Sequence, residues 1–99
     1  MLIRIVRMTF KEGSREAFLQ NFDQNKAFIR NFPGCQYLEL LQGLDAKKNV
    51  FATYSYWKTE EDLNNYRYSD LFKATWADTK KLFSKKPEAI SFKKLHSLD

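Results

Sequence analysis

The stretch Val50-Phe-Ala-Thr-Tyr-Ser-Tyr-Trp57 carries the strongest structural signal in this chain of 99 residues. Nearly every position is β-branched or aromatic, and such side chains fit a pleated, partly buried surface. The segment therefore predicts a strand. Successive residues of a strand point to opposite faces. One face would carry Val50, Ala52, Tyr54 and Tyr56, and the other Phe51, Thr53, Ser55 and Trp57.

Two strands and a helix are predicted before this segment. Leu2 to Phe10 is rich in Ile, Val and Met and indicates a first strand. Ser14 is placed to cap a helix that ends at Phe32-Pro33-Gly34. Cys35 to Leu44 alternates in polarity and predicts a second strand. The expected apolar face of the helix consists of Ala17, Phe18, Phe22, Ile29 and Phe32.

Two helices and a last strand are predicted after it. Thr59-Glu60-Glu61-Asp62 has the form of a capping box and indicates a short helix to about Arg67. Ser69-Asp70 begins the next helix, expected to end near Lys85-Lys86-Pro87, and Ala89 to Leu95 indicates the final strand. The apolar stripe of that helix is Leu71, Phe72, Thr75, Trp76, Thr79, Leu82 and Phe83. The order β-α-β-β-α-α-β is typical of a ferredoxin-like α+β sandwich, with helices on one face of a four-stranded antiparallel sheet.

Composition indicates one folded domain over residues 1–99. An apolar share of 43% with 16% aromatic residues supplies a core and argues against disorder. The single Cys35 and single His96 exclude an intramolecular disulfide and a zinc site built on Cys and His. Arg4 and Arg7 interrupt the first apolar stretch, so neither an export signal nor a membrane span is expected. We expect a cytoplasmic protein with no membrane partner.

The net charge of +5 comes mainly from lysines in the last third of the chain. These lysines flank apolar positions and lack the interleaved exposed aromatics of a phosphate-binding surface, so no nucleic-acid partner is expected. An RNA-recognition motif is the alternative, because its sheet also has an aromatic third strand. The glycines typical of that motif are missing from Asn49 to Trp57, and the helix from Thr59 to Arg67 departs from its topology.

The two apolar faces of the sheet raise the question of what covers the second one. Helices cover only one face in this topology. An exposed apolar sheet face of several hundred Å² is uncommon in a monomer. We therefore expect a homodimer formed face to face between two sheets.

The sequence also resembles the antibiotic biosynthesis monooxygenase domain of the dimeric α+β barrel superfamily over nearly its whole length. The segments that carry the resemblance are Phe32-Pro-Gly-Cys35, Leu38-Glu-Leu-Leu-Gln42, Asn49 to Trp57 and Ser69-Asp-Leu-Phe72. The resemblance implies a dimer whose sheets form a barrel and a pocket between helices and sheet. Members include cofactor-independent quinol monooxygenases, polyketide oxygenases and haem-degrading enzymes.

The match to these members is mixed at individual positions. Trp57 matches the family's strand-end tryptophan and Phe72 its helical aromatic, although both also fit an ordinary core. Quinol-type members carry Glu in place of Ser55 and His in place of Tyr66 and Leu71. These replacements remove candidate general bases, because none of the three side chains titrates near neutrality.

The haem-degrading members match less well. They carry Asn, Trp and an iron-binding His where this chain has Val6, Tyr66 and Trp76. Because Trp76 cannot serve as an axial ligand, no bound haem is expected. No other cofactor is expected either.

The candidate pocket residues are five aromatics and two threonines: Tyr54, Trp57, Tyr66, Phe72, Thr75, Trp76 and Thr79. Alternatively, the threonines bond back to carbonyls one turn earlier and the aromatics fill the core. Arg4, Arg7 and Arg67 are cations that could pair with a phenolate, but Arg7 and Arg67 are expected to be surface residues. His96 is expected in an exposed tail and Cys35 as a buried structural thiol.

The resemblance thus implies a cofactor-independent monooxygenase that acts on a small aromatic molecule, either a quinol or a polyketide-like compound. Cofactorless oxygenation needs an apolar chamber, an oriented electron-rich phenol or quinol and the exclusion of water. The alternative is a non-catalytic dimeric α+β barrel protein that binds a small molecule.

Overall fold

The computed structural model describes the whole chain, residues 1–99. The strands are β1 (Leu2–Thr9), β2 (Cys35–Gln42), β3 (Val50–Trp57) and β4 (Glu88–Lys93). The helices are α1 (Arg15–Arg30), α2 (Glu60–Arg67) and α3 (Asp70–Lys80), and a single 3-10 turn spans Asp45–Lys47. The order β-α-β-β-α-α-β and the antiparallel four-stranded sheet confirm the predicted α+β fold.

The sheet has the strand order β2-β3-β1-β4, so β1 and β3 lie at its centre. These two strands pair along their full length, from Leu2 opposite Trp57 to Thr9 opposite Val50. The register therefore sorts the side chains of all four strands onto two faces. One face packs against the helices. The other, called here the open face, carries Ile3, Ile5, Arg7, Thr9, Tyr37, Glu39, Leu41, Val50, Ala52, Tyr54, Tyr56, Glu88, Ile90 and Phe92.

The core between the sheet and the helices divides into two clusters of buried side chains. The first surrounds Phe10, where Phe18 of α1 stacks on its ring at 4.2 Å between centroids. The second joins Cys35, Trp57 and Leu63, and so links β2, β3 and α2. Burial of this apolar area supplies the main free energy that holds the helices on the sheet.

Sequence signals place the starts of the helices that border the site. The Thr59 hydroxyl accepts a hydrogen bond from the Asp62 amide at 3.1 Å, and the Ser69 hydroxyl accepts one from the Phe72 amide at 3.1 Å. Both caps were predicted. Ser14 precedes α1 as expected but makes no side-chain cap bond, because its φ of −99° and ψ of −3° lie outside the extended region that capping residues adopt.

The turn that ends α1 requires glycine. Gly34 has a φ of +90°, and a Cβ at this position would collide with the Asp62 side chain. The backbone of this turn therefore approaches the first turn of α2 closely, and this contact helps to fix α2 over the end of the sheet.

The predicted end of α3 is wrong by about one turn, because the helix ends at Lys80. Leu82 and Phe83 continue the apolar stripe, but their backbone pairs with the end of β1 instead. The Leu82 carbonyl accepts from the Lys11 amide at 2.9 Å, and a bridge joins Phe83 to Phe10. Packing of the Leu82 and Phe83 side chains against the first core cluster explains this pairing.

Two further details differ from the expectations. Ala17 is expected on the apolar face of α1, but the structure shows it exposed. It lies about 100° around the helix axis from the buried Phe18. β4 begins at Glu88 and ends at Lys93, which leaves Lys94 and Leu95 outside it.

None of the helices is long and apolar enough to cross a membrane.

Candidate functional site

A cavity of about 320 Å³ lies between the helix-covered face of the sheet and the three helices. Its wall includes Met8 and Phe18 from the first core cluster and Trp57 and Leu63 from the second. The cavity therefore separates the two halves of the core. Its volume is within the range of pockets that bind small organic molecules, at the lower end.

Aromatic rings form one continuous wall of this cavity. The Tyr66 ring stacks on Trp57 with 5.1 Å between centroids and meets Phe72 edge-on at 5.2 Å. Phe72 in turn stacks on Trp76 at 5.6 Å. The Trp57 indole is oriented by Ser55, whose buried hydroxyl accepts a hydrogen bond from Nε1 at 3.0 Å. Flat, apolar surfaces of this kind favour flat, apolar ligands.

Six of the seven predicted pocket residues lie in the cavity wall: Trp57, Tyr66, Phe72, Thr75, Trp76 and Thr79. Tyr54 lies on the open face, so its assignment to the pocket is corrected. It pairs with Ile5 and Glu39 across the sheet, and strand alternation puts it on the side opposite to Trp57.

The two threonines of α3 have different hydrogen bonds. The Thr79 hydroxyl donates to the Thr75 carbonyl at 2.8 Å and accepts from the Asn21 side chain at 3.0 Å. This is the back-bonding alternative considered above. The Thr75 hydroxyl is buried and has no hydrogen-bond partner in the protein. Thr79 therefore ties α3 to α1, whereas Thr75 offers a free hydroxyl at the cavity.

Valine substitutions are expected to separate these roles. Thr79→Val removes two hydrogen bonds and should lower the free energy of unfolding by about 1–2 kcal/mol. Thr75→Val removes an unpaired polar group and should leave that energy unchanged or raise it by up to about 1 kcal/mol. Urea denaturation at one fixed protein concentration measures both. An equal loss in the two variants would contradict the assignment.

Arg4 and Arg67 are the charged residues of the cavity wall, and no Asp, Glu or His lines it. Arg4 is half-buried on β1, and its Nη1 donates to Ser91 Oγ at 3.1 Å. Burial lowers the pKa of the Arg4 guanidinium, and repulsion from Arg67 lowers it further. Arg7, the third candidate cation, lies on the open face. The site is thus apolar with a positive edge.

Tyr66 brings a phenol to the cavity. Burial, with a smaller contribution from Cys35, raises the pKa of the Tyr66 hydroxyl well above its ordinary value, so the group is neutral at physiological pH. The hydroxyl makes no hydrogen bond within the protein. It can donate a hydrogen bond to a ligand, but it cannot act as a base near neutrality.

The remaining candidates lie outside the cavity. Cys35 is buried, its thiol contacts the Tyr37 carbonyl at 3.6 Å, and burial raises its pKa, so it has the properties of a structural thiol. His96 is exposed beyond β4, and Leu71 does not line the cavity.

Sequence reasoning did not assign Thr53 and Ser55 to the pocket wall, although both line the cavity. The signal that identifies them is parity with Trp57, because residues two and four positions earlier on a strand share its face. The same parity excludes Tyr54. Which face the helices cover could be read only from the packing.

Comparison with known structures shows the same fold in proteins of low sequence identity. A candidate antibiotic biosynthesis monooxygenase from Nitrosomonas europaea is 20% identical with a TM-score of 0.89, and covers 97% of this chain and 100% of its own. A conserved Methanosarcina mazei protein is 21% identical with a TM-score of 0.87, and the match covers 95% of this chain and 93% of that protein. A mutant of SnoaB, a cofactor-independent oxygenase from Streptomyces nogalater, is 20% identical with a TM-score of 0.84. The match covers 98% of this chain and 95% of that protein.

The chain also matches a protein-family model. No relative is found among curated proteins. The model of the antibiotic biosynthesis monooxygenases matches residues 1–78, from β1 through most of α3, and so includes most of the cavity wall. The chain therefore belongs to the antibiotic biosynthesis monooxygenase family.

Proposed function

We propose that the protein is a cofactor-independent monooxygenase that oxidises a small electron-rich aromatic molecule, a quinol or polyketide-like phenol, within the cavity. The observation that carries the proposal is the largely apolar cavity of about 320 Å³ with a continuous aromatic wall. Membership of the monooxygenase family supports it, as does the fold shared with SnoaB, named as a cofactor-independent oxygenase.

The reaction requires few catalytic groups from the protein, because the substrate supplies the electrons that reduce dioxygen. For a quinol, one oxygen atom of O₂ is inserted into a ring C–H bond to form a hydroxyl group. The ring is oxidised to the quinone, and the second oxygen atom leaves as water with two hydrogens taken from the quinol. Atoms and electrons balance with dioxygen as the only co-reactant.

The wall residues can hold such a substrate in place. Trp57 and Trp76 offer flat surfaces above which an aromatic ring can lie, and the Tyr66 hydroxyl can hydrogen-bond to one of its oxygen atoms. The apolar remainder of the wall excludes water, which protects a reactive intermediate from side reactions.

We also propose that two copies of the chain form a homodimer through their open faces. Four large apolar side chains of this face are strongly exposed in the single chain: Tyr37, Leu41, Ile90 and Phe92. Tyr54 and Tyr56 pack at 5.4 Å between ring centroids and extend the apolar area across β3. This face carries few charged groups: Arg7 and Glu88, which are opposite each other in the sheet, and Glu39, which accepts a hydrogen bond from the Tyr37 hydroxyl. Such a face suits burial against an identical one.

Oxygen consumption tests the proposed activity. We expect the protein to consume O₂ with at least one member of a panel of quinols and polycyclic phenols. Trp76→Ala should reduce turnover by about tenfold or more, because it removes a stacking surface. Tyr66→Phe should have a smaller effect, since it loses one hydrogen bond and keeps the ring. An absence of uptake across the panel would contradict the proposal.

A non-catalytic binding protein is the second candidate function. It is favoured by one observation: the cavity wall contains no Asp, Glu or His that could act as a general base. Ligand binding in the cavity without oxygen uptake would support this candidate.

A further inference from the structure

Two guanidinium groups border the cavity without a carboxylate partner. Arg4 extends from β1, and Arg67 is the last residue of α2. The ion pairs of the structure involve only lysines as cations, and both lie outside the cavity. The hydrogen bond of the Arg4 side chain goes to the neutral Ser91 hydroxyl. Both positive charges are therefore available to a ligand.

This arrangement is electrostatically unbalanced in the absence of a ligand. Half-burial removes part of the hydration of the Arg4 guanidinium, and Arg67 adds repulsion; both effects lower the pKa of Arg4. Unpaired buried charge costs free energy, and an anion placed between the two groups would offset that cost. No acidic side chain in the wall would repel the anion.

We propose that Arg4 and Arg67 bind the substrate as a phenolate, with its ring in the cavity and its ionised oxygen between the two guanidinium groups. This inference rests on the proposed function, since it names the ionisation state of the substrate of that same site. It extends the function by giving the cavity a means of activation that requires no general base.

The proton balance of this step is simple. The phenol O–H bond breaks, the electron pair stays on the oxygen, and the proton passes to bulk water. The Arg67 side chain is exposed, so the proton can leave at this edge of the cavity while the apolar wall keeps water from the ring. A cation within about 4–6 Å lowers the pKa of an acid by roughly 1–3 units, so two cations favour the phenolate near neutral pH. A phenolate transfers electrons to O₂ more readily than the neutral phenol.

Two chromophoric probes test this assignment on the full chain. The first is 4-nitrophenol, whose visible absorbance measures its ionised fraction directly. The second is its methyl ether, 4-nitroanisole, which cannot ionise and reports cavity binding alone through quenching of tryptophan fluorescence. Saturating protein should lower the apparent pKa of 4-nitrophenol by about one unit, a tenfold change in its ionisation constant.

Matched glutamine variants identify the groups responsible. Arg4→Gln and Arg67→Gln should each reduce the tenfold change to about threefold or less. Arg15→Gln removes an equal charge from the first turn of α1, outside the cavity wall, and should keep the full effect. Binding of 4-nitroanisole should be retained in all three variants, which verifies that the cavity is still formed.

The possible failures are distinguishable. An unshifted pKa of 4-nitrophenol with normal binding of 4-nitroanisole would overturn the phenolate inference and leave the proposed function standing. A shift that persists in Arg4→Gln and Arg67→Gln would also overturn it, because the overall positive charge of the protein would then be the cause. Failure of the wild-type protein to bind either probe would contradict both the inference and the proposed function.

Discussion

Replacing Ile90 with glutamate is expected to convert the protein from a dimer to a monomer at micromolar concentration. Ile90 lies on the open face opposite Ile5, with 52% of its surface exposed in the single chain. In a face-to-face dimer, the variant would bury one carboxylate per subunit in an apolar interface. Burying an unpaired charge costs about 3 kcal/mol or more, which raises the dissociation constant more than a hundredfold. Sedimentation across a concentration series measures this change.

Phe28→Glu is the matched control for this prediction. Phe28 lies on α1, away from the open face, and is 65% exposed. The same change from a large apolar side chain to a carboxylate should therefore leave the dimer intact. The dimer proposal would be abandoned if the wild-type protein sedimented as a monomer at micromolar concentration, or if Ile90→Glu and wild type had the same dissociation constant.

Replacing Trp57 with alanine should cause the largest loss of stability among single substitutions in the cavity wall. Its side chain is 1% exposed, joins the second core cluster, and packs against Phe32 and Tyr66. Removing a buried Trp costs about 3–5 kcal/mol through lost transfer energy and the space left behind. That loss is a large share of the 5–15 kcal/mol typical of a domain.

Urea denaturation followed by circular dichroism measures this loss without depending on tryptophan fluorescence. Protein concentration must be constant, because the proposed dimer would add to the apparent stability. Trp57→Phe is the control: it keeps an aromatic ring but loses the bond from Nε1 to Ser55, so about 1–2 kcal/mol should be lost. Equal stability of Trp57→Ala and wild type would contradict the packing described here.

The elements of this fold were predictable because local signals and packing agree. The bounds of β3, Val50–Trp57, and the caps of α2 and α3 follow from β-branched and aromatic content and from hydroxyl-bearing residues at helix starts. The end of α3 was not predictable in this way. Leu82 and Phe83 continue the helical periodicity, yet their backbone bonds with the end of β1, a partner more than 70 residues away.

The site was predictable in its aromatic residues and less so in its polar ones. Trp57, Tyr66 and Trp76 line the cavity as expected. Tyr54 does not, and alternation along β3 already places it on the face opposite to Trp57. Which of these two faces the helices cover could be read only from the packing. Arg67 was regarded as a surface residue; its side chain is exposed and also borders the cavity, a combination that only the packing of α2 reveals.

We propose that the cavity holds a small quinone-sized molecule, and the two tryptophans of the chain permit a direct test. Both Trp57 and Trp76 line the cavity wall. Duroquinone, a fully methylated benzoquinone with no free ring position for thiol addition, should quench their fluorescence in a saturable manner with one molecule bound per chain. Trp57→Phe and Trp76→Phe should each retain saturable quenching of the remaining indole. Quenching that increases linearly with duroquinone and never saturates would show only random collisions and would contradict the claim.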